Sequence, residues 1–309
     1  MAEPAPGLPG SAPPGPELPG RALPGPALLF CPADRADRYA KALAAADGVI
    51  LDLEDGVGAA AKEVARAALR QTLIDPGRAI VRVSAIGTDD HAHDIAALRQ
   101  TWYRTIMLAK TESRAQLDAI ARQGDWQVIA LLETALGILR AEDIVSAPNV
   151  AAVMWGAEDL IASMHGRTSR HPDGTYRGVV LHARATTLLA ATAHGKPAID
   201  AVYTNIPDLD GLAAESQDAA ASGFALKACI HPTQVAVVRT AFQADERQVA
   251  WARRVLEAAR EGGQDSGAIK LDGQMIDAPV IRQAEAILAA SPGGYTPTPR
   301  TPRPHGSPP

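Results

Sequence analysis

Two carboxylates and one guanidinium in this chain stand where chemistry can be done. Glu133 follows the apolar run 127–132, and Asp159 follows the apolar run 150–155 by way of Gly156-Ala157-Glu158. Each run has the length and apolar continuity of a strand covered on both faces, so the two acids end neighbouring strands. Their oxygens could then converge on one hard cation. Mg2+ typically takes one or two protein carboxylates and completes its shell with water and substrate oxygens. Taken singly, Asp159 reads as a helix N-cap before Leu160 and Glu133 as a solvated charge; the pairing favours the metal. Arg82 lies within the apolar strand Ile80-Val81-Arg82-Val83, where a guanidinium needs an anionic or carbonyl partner. An ion pair with Asp52 or Asp55 meets that need as well as a substrate does. Lys110 could form a Schiff base, but a rim rich in carboxylates holds its amine charged, so an ion pair ranks first. His91 and His93 fall in a polar stretch read as a loop, with no Cys or third His to make a zinc set. His231 reads as a satisfied histidine at the edge of the core.

The elements that must position these groups repeat along the chain. Apolar runs occupy 27–31, 48–53, 79–83, 105–109, 127–132, 150–155, 198–203 and 226–230. Amphipathic stretches such as 37–45, 60–72 and 113–122 lie between them. Eight strands alternating with helices predict an α/β fold, a (β/α)8 TIM barrel. An open doubly wound sheet is disfavoured because no G-x-G-x-x-G follows any strand. Charged groups follow the strands at once: Asp52, Glu54 and Asp55, with Gly56 behind them, after the second, Lys110 after the fourth, and Glu133 after the fifth. Glu158 and Asp159 follow the sixth, and His231 the eighth. In a parallel barrel these points share the C-terminal rim, where active sites of this architecture sit. Beyond the eighth strand the pattern gives a helix over 245–260, a polar Gly-containing connection and a final helix over about 278–290.

Composition bounds the rest. Of 24 prolines in 309 residues, nine fall in 1–26 and seven in 292–309. Such ends cannot bury enough surface to offset the entropy of ordering them. The expected organisation is a disordered tail over 1–26, a catalytic barrel over 27–243, a C-terminal helical lid extension over 244–291 and a disordered tail over 292–309. A net charge of −5 argues against nucleic acid as partner. No apolar run approaches the ~20 residues of a membrane span. The start lacks the basic and apolar regions of a signal peptide. Cys31 and Cys229 are too few for a disulfide framework, and all of this suits the cytoplasm.

The ordered motifs carry a family resemblance. Leu29-Phe30-Cys31-Pro32-Ala33-Asp34-Arg35 and Ile50-Leu51-Asp52-Leu53-Glu54-Asp55-Gly56-Val57 resemble the citrate lyase β-subunit-like proteins of the HpcH/HpaI aldolase and malyl-CoA lyase superfamily. The likeness continues through Val81-Arg82-Val83, Met107-Leu108-Ala109-Lys110, Glu133-Thr134, Trp155-Gly156-Ala157-Glu158-Asp159-Leu160 and Ile230-His231-Pro232-Thr233-Gln234. It ends with Gly273-Gln274-Met275-Ile276-Asp277-Ala278-Pro279. Ser84, Ala109 and Leu226 depart from the usual Asn, Pro and Gly.

The resemblance implies a Mg2+-dependent carbon–carbon lyase that cleaves a hydroxyacyl-CoA thioester, such as citramalyl-, citryl- or malyl-CoA. It puts Glu133 and Asp159 on the metal. It gives Arg82, Glu133 and Glu54 to substrate binding, and Arg82, Asp55 and Asp277 to catalysis. Asp277 would act as acid/base from a lid that reaches a neighbouring subunit; on residues alone it is a helix N-cap before Ala278-Pro279. Arg35, Arg38 and Lys41 are candidates for the CoA phosphates, against a reading as solvated helix charges. A homotrimer or hexamer is implied. The alternatives are a β chain working within a multi-subunit citrate lyase, or a non-catalytic CoA-binding or interaction protein.

Overall fold

The computed structural model describes residues 23–261 and 269–291. The tails expected at the two ends fall largely on 1–22 and 292–309, outside the described residues. Eight parallel strands close a barrel in sequence order: β1 (Ala27–Pro32), β2 (Gly48–Asp52), β3 (Ala79–Val83), β4 (Thr105–Leu108), β5 (Gln127–Leu132), β6 (Val150–Trp155), β7 (Ala198–Asp200) and β8 (Leu226–Cys229). Helices follow the strands: α1 (Ala36–Ala45), α2 (Lys62–Gln71), α3 (Asp89–Leu98), α4 (Arg114–Ala121), α5 (Ala135–Leu139), α6 (Ala141–Val145), α7 (Ala157–Ser163), α8 (Gly178–Ala193), α9 (Leu209–Ser222) and α10 (Pro232–Ala241). The expected (β/α)8 barrel is therefore the fold. Its strands end within one residue of the predicted apolar runs, except β7, which stops three residues early. His91 and His93 lie on α3, not in a loop, because Thr88 caps that helix by accepting the His91 N–H.

Register sets the layers inside the barrel. Phe30 pairs with Ile50 and Ile50 with Ile80, and these belong to an apolar interior that includes Leu28, Met107, Ile129, Leu131 and Met154. Two residues further along, the period-2 alternation of strands returns the same face. Asp52 there lies directly beside Arg82. Leu23 packs against the interior cluster, so the barrel's packing reaches upstream of the boundary drawn at Ala27.

A second compact unit begins at Thr240, four residues before the boundary drawn from the sequence. It holds α11 (Glu246–Glu261), an antiparallel pair β9 (Ile269–Leu271) and β10 (Gln274–Ile276), and α12 (Ala278–Ala289). Ala252, Val255, Leu256, Ile276, Ala284 and Leu288 form its core. The sequence pattern predicts only a polar connection where this pair forms, since three-residue strands on a Gly turn leave no periodic signal. Among the described residues, no helix is long and apolar enough to cross a membrane.

One ion network lies inside the barrel wall, away from the mouth. Lys227 on β8, fully buried, donates to Asp200 on β7 at 2.9 Å and to Glu215 on α9 at 3.0 Å. Arg184 on α8 and the Trp155 indole N–H also donate to Asp200. Removing one member of a buried pair strands the other charge, at a cost of about 3–5 kcal/mol. Asp200→Ala should therefore lower unfolding stability in urea by about that much. A loss under ~1 kcal/mol would show that the network does not brace the barrel.

Candidate active site

The charged residues at the barrel's C-terminal mouth are held by two cations. Arg82 donates through Nε and Nη2 to Asp52 at 2.7 and 2.6 Å, and its Nη1 lies 3.0 Å from Glu54. The bidentate geometry fixes the guanidinium plane, which stands 5.0 Å above the Phe30 ring. Asp52 is held in turn by the backbone N–H groups of Glu54 and Gly56. The partner of Arg82 is thus Asp52 together with Glu54, not Asp55. Lys110 pairs through Nζ with Glu54, with Asp55 at 3.2 Å and with Asp159 at 3.8 Å. It is no free amine, as the carboxylate-rich rim predicted. Burial lowers the lysine's proton affinity, but Glu54, Glu133 and Asp55 outweigh it and hold the amine above its ordinary value.

Lys110 also takes a left-handed backbone conformation, with φ of 49°. A non-glycine residue in that region costs of order 1 kcal/mol or more and persists only where its surroundings fix it. Here the fixing bond is its own N–H, which donates to Glu133 Oε1 at 2.9 Å. Glu133 is 2% exposed. Burial, then the charges of Asp159 and Glu54, push its carboxyl up from an ordinary 4.5 to about 8, against the pull of Arg82 and Lys110. Glu54 is also raised, chiefly by burial. Asp55 resists burial through Lys110 and ends below its ordinary value. Gly156 makes room for this arrangement: a Cβ there would stand 3.0 Å from Glu133 Oε2.

Asp52, Arg82, Glu133, Glu158 and Asp159 line one pocket of about 310 Å3, floored by Phe30, Leu131 and Met154. Asp159 is not the N-cap of α7; Gly156 is, and Asp159 sits in the first turn. Among the described residues no set of three or more His, Cys, Asp or Glu side chains forms a metal cluster. The pocket still fits a hard divalent cation. It offers oxygen donors alone, and burial together with the charges of Asp159 and Glu54 holds the Glu133 carboxyl well above its ordinary value. A site using two carboxylates leaves the remaining positions to water and substrate.

The other predicted residues are placed as follows. Arg35 donates to Asp37 at 3.0 Å, while Arg38 and Lys41 are exposed on α1, which follows β1. Asp277 caps α12 in the second unit, accepting the Val280 N–H at 3.3 Å. His231 Nδ1 is engaged by Thr233 Oγ1. Ser84 is buried, but it is not a lining residue of the pocket. Sequence reasoning names Asp52, the anchor of Arg82, as one of two possible partners and does not choose it over Asp55. The signal was present, since Asp52 closes a strand whose register neighbour is Arg82.

Comparison with known proteins agrees with this fold. The model of the family described as HpcH/HpaI aldolase/citrate lyase matches residues 27–232, the whole barrel. The chain belongs to that family. A citrate lyase subunit beta-like protein of Mycobacterium tuberculosis is 53% identical over 260 residues, covering 84% of this chain and 93% of that protein. Human mitochondrial citramalyl-CoA lyase is 32% identical over 266 residues, covering 77% of each chain. The crystal structure of CitE from Mycobacterium tuberculosis with magnesium, acetoacetate and coenzyme A matches with a TM-score of 0.83 and 51% identity. That match covers 87% of this chain and 98% of the other.

The family fold makes Glu133 a test of the mouth's electrostatics. A carboxyl whose folded-state pKa exceeds its unfolded value adds stability below the unfolded value and loses it as pH rises through the folded one. In EDTA, this group should therefore erode stability between about pH 4.5 and about 8. Glu133→Gln should flatten that slope and stabilise the EDTA-treated protein above pH 8 by about 2–5 kcal/mol. Unfolding midpoints across pH measure it; equal slopes for the two proteins would contradict the raised carboxyl.

Proposed function

We propose that this chain is a Mg2+-dependent carbon–carbon lyase that cleaves a hydroxyacyl-CoA thioester into an acyl-CoA and a keto acid. The observation that carries this reading is the convergence of Glu133, Asp159 and Arg82 on one pocket in a member of a lyase family. Glu133 and Asp159 would hold the cation, which when bound supplies Lewis acidity at a substrate oxygen. The rest of the chemistry falls to the chain's own groups.

Arg82 binds the carboxylate end of the substrate with the N–H groups that Asp52 and Glu54 leave over, and it stabilises developing negative charge, a contribution of about 3 kcal/mol per donor in comparable sites. Asp52 and Glu54 keep that guanidinium in place. Asp55 and Glu54 hold Lys110, which in turn braces Glu133 through its backbone N–H. Removal of the hydroxyl proton by a base lets the carbon–carbon bond break. Its electron pair passes to the carbon beside the thioester, giving an enolate and a keto acid. Asp277 then protonates that carbon, from the lid of a neighbouring subunit. Arg38 and Lys41, with Arg35, offer cations to the CoA phosphates beyond β1.

Assembly as a homotrimer or hexamer supplies that neighbouring lid. It is supported by the exposure of Leu139 on α5 and of Leu181 and Leu189 on α8. A cytoplasmic location suits Cys31 and Cys229, both free and buried, with burial raising their thiols to about 11 and about 12.

Three measurements test this function. Purified protein with Mg2+ should release acetyl-CoA from at least one of citramalyl-, malyl- and citryl-CoA, and EDTA should abolish it; inactivity on all three moves the reading to a binding protein. Glu133→Ala should lose about a hundred- to a thousandfold in kcat, as loss of transition-state electrostatics does. Full Mg2+-dependent activity in that variant would overturn the ligand assignment. Light scattering should give the mass of three or six chains, and a monomer would remove the shared lid.

A further inference from the structure

Asp159 reaches the pocket from the first turn of α7, a seven-residue helix whose N-cap, Gly156, provides no capping side chain. A short helix of this kind has little intrinsic stability and takes its position from what it is tied to. The neighbouring acid, Glu158, carries the tie. Its Oε1 accepts the hydroxyl of Ser169 at 2.6 Å. Glu158 is itself exposed and lines the pocket, whereas Ser169 is 3% exposed. An otherwise free side chain is therefore held by a buried hydroxyl.

The segment that presents Ser169 is closed on itself and anchored. Arg170 and Tyr176 form an antiparallel bridge, and the Arg177 N–H donates to the Ser169 carbonyl at 2.9 Å. The Arg170 guanidinium stacks 3.7 Å from the centre of the Tyr176 ring and 5.0 Å from that of Tyr203. Its Nη2 donates to Glu215 at 2.7 Å, and Glu215 also receives buried Lys227. A continuous set of contacts thus runs from the β7–β8 side of the barrel through Arg170 and Ser169 to the turn that bears Asp159. A loop needed only to join α7 to α8 would have no use for a buried hydroxyl aimed at a pocket acid.

We propose that Ser169 and Arg170 are positioning residues of the cation site: they brace Glu158 and so fix the turn that aims Asp159 at Glu133. The proposal rests on the reading of Glu133 and Asp159 as cation ligands. Partners behind the ligands of a metal site commonly contribute 10–100-fold to its affinity.

Calorimetric titration of the full chain with Mn2+, without substrate, reads the brace directly. Ser169→Ala should weaken Mn2+ binding by about tenfold with its thermal midpoint unchanged, and Ser169→Thr, which keeps the hydroxyl, should restore it. Arg170→Met touches neither pocket acid and should weaken binding in the same direction, which keeps the test open should Ser169→Ala fold poorly. Unaltered Mn2+ affinity in a folded Ser169→Ala or Arg170→Met protein overturns the brace. Failure of the unsubstituted protein to bind Mn2+, or undiminished binding in Glu133→Ala, overturns the ligand assignment instead, so the two failures are distinct.

Discussion

The mouth of this barrel depends on a balance of charge between Arg82 and Lys110 and the carboxylates around them. Asp52, Glu54 and Glu133 are nearly or wholly buried, and isolated buried carboxylates are too costly to stay ionised. Arg82 meets this cost by spanning Asp52 and Glu54, and Lys110 meets it by bridging Glu54, Asp55 and Asp159. Neither cation is interchangeable with the other. Only a planar fork can hold Asp52 through two bonds, and only a flexible stem can reach acids presented by two different strand ends.

The fold delivers these groups by register. Because Asp52 and Arg82 are paired across β2 and β3, their side chains emerge together, one layer above the Ile50–Ile80 contact. The apolar layer below excludes water and strengthens the ion pairs above it. Lys110 and Glu133 emerge at the next two strand ends, and a left-handed residue at 110 turns its backbone N–H toward the Glu133 carboxylate. Gly156 then leaves the clearance that lets β6 pass close to that acid. Sequence, backbone strain and site geometry are consistent at each of these points.

All eight strands were legible because a strand covered on both faces must be a continuous apolar run, and ionisable residues at the ends of such runs stand out. The same contrast revealed Glu133, Asp159 and Arg82. What escaped notice lacked it. The β9–β10 pair is too short and polar to show a period. Ser169 lies in a polar stretch, where a buried hydroxyl looks like any solvated one, and Arg170 needs two tyrosines from separate segments to show its role. Lys227 and Asp200 are the instructive misses: each interrupts an apolar strand, which by itself demands a partner, and each was the answer to the other.

The two ion networks of the barrel differ in a way that separates structure from chemistry. At β7 and β8 the acid is saturated. Burial would raise Asp200, yet Lys227 and Arg184 hold it below its ordinary value, and Lys227 is held above its own despite complete burial. Nothing there calls for another ligand. At the mouth, two cations fall short: Glu54 remains raised, and Glu133 is lifted to about 8 by burial and by neighbouring negative charge. A buried network that sought only stability would have matched the acids with another cation from the chain or replaced them with apolar groups. Keeping the deficit open, beside a pocket, leaves room there for a positive charge from outside the chain.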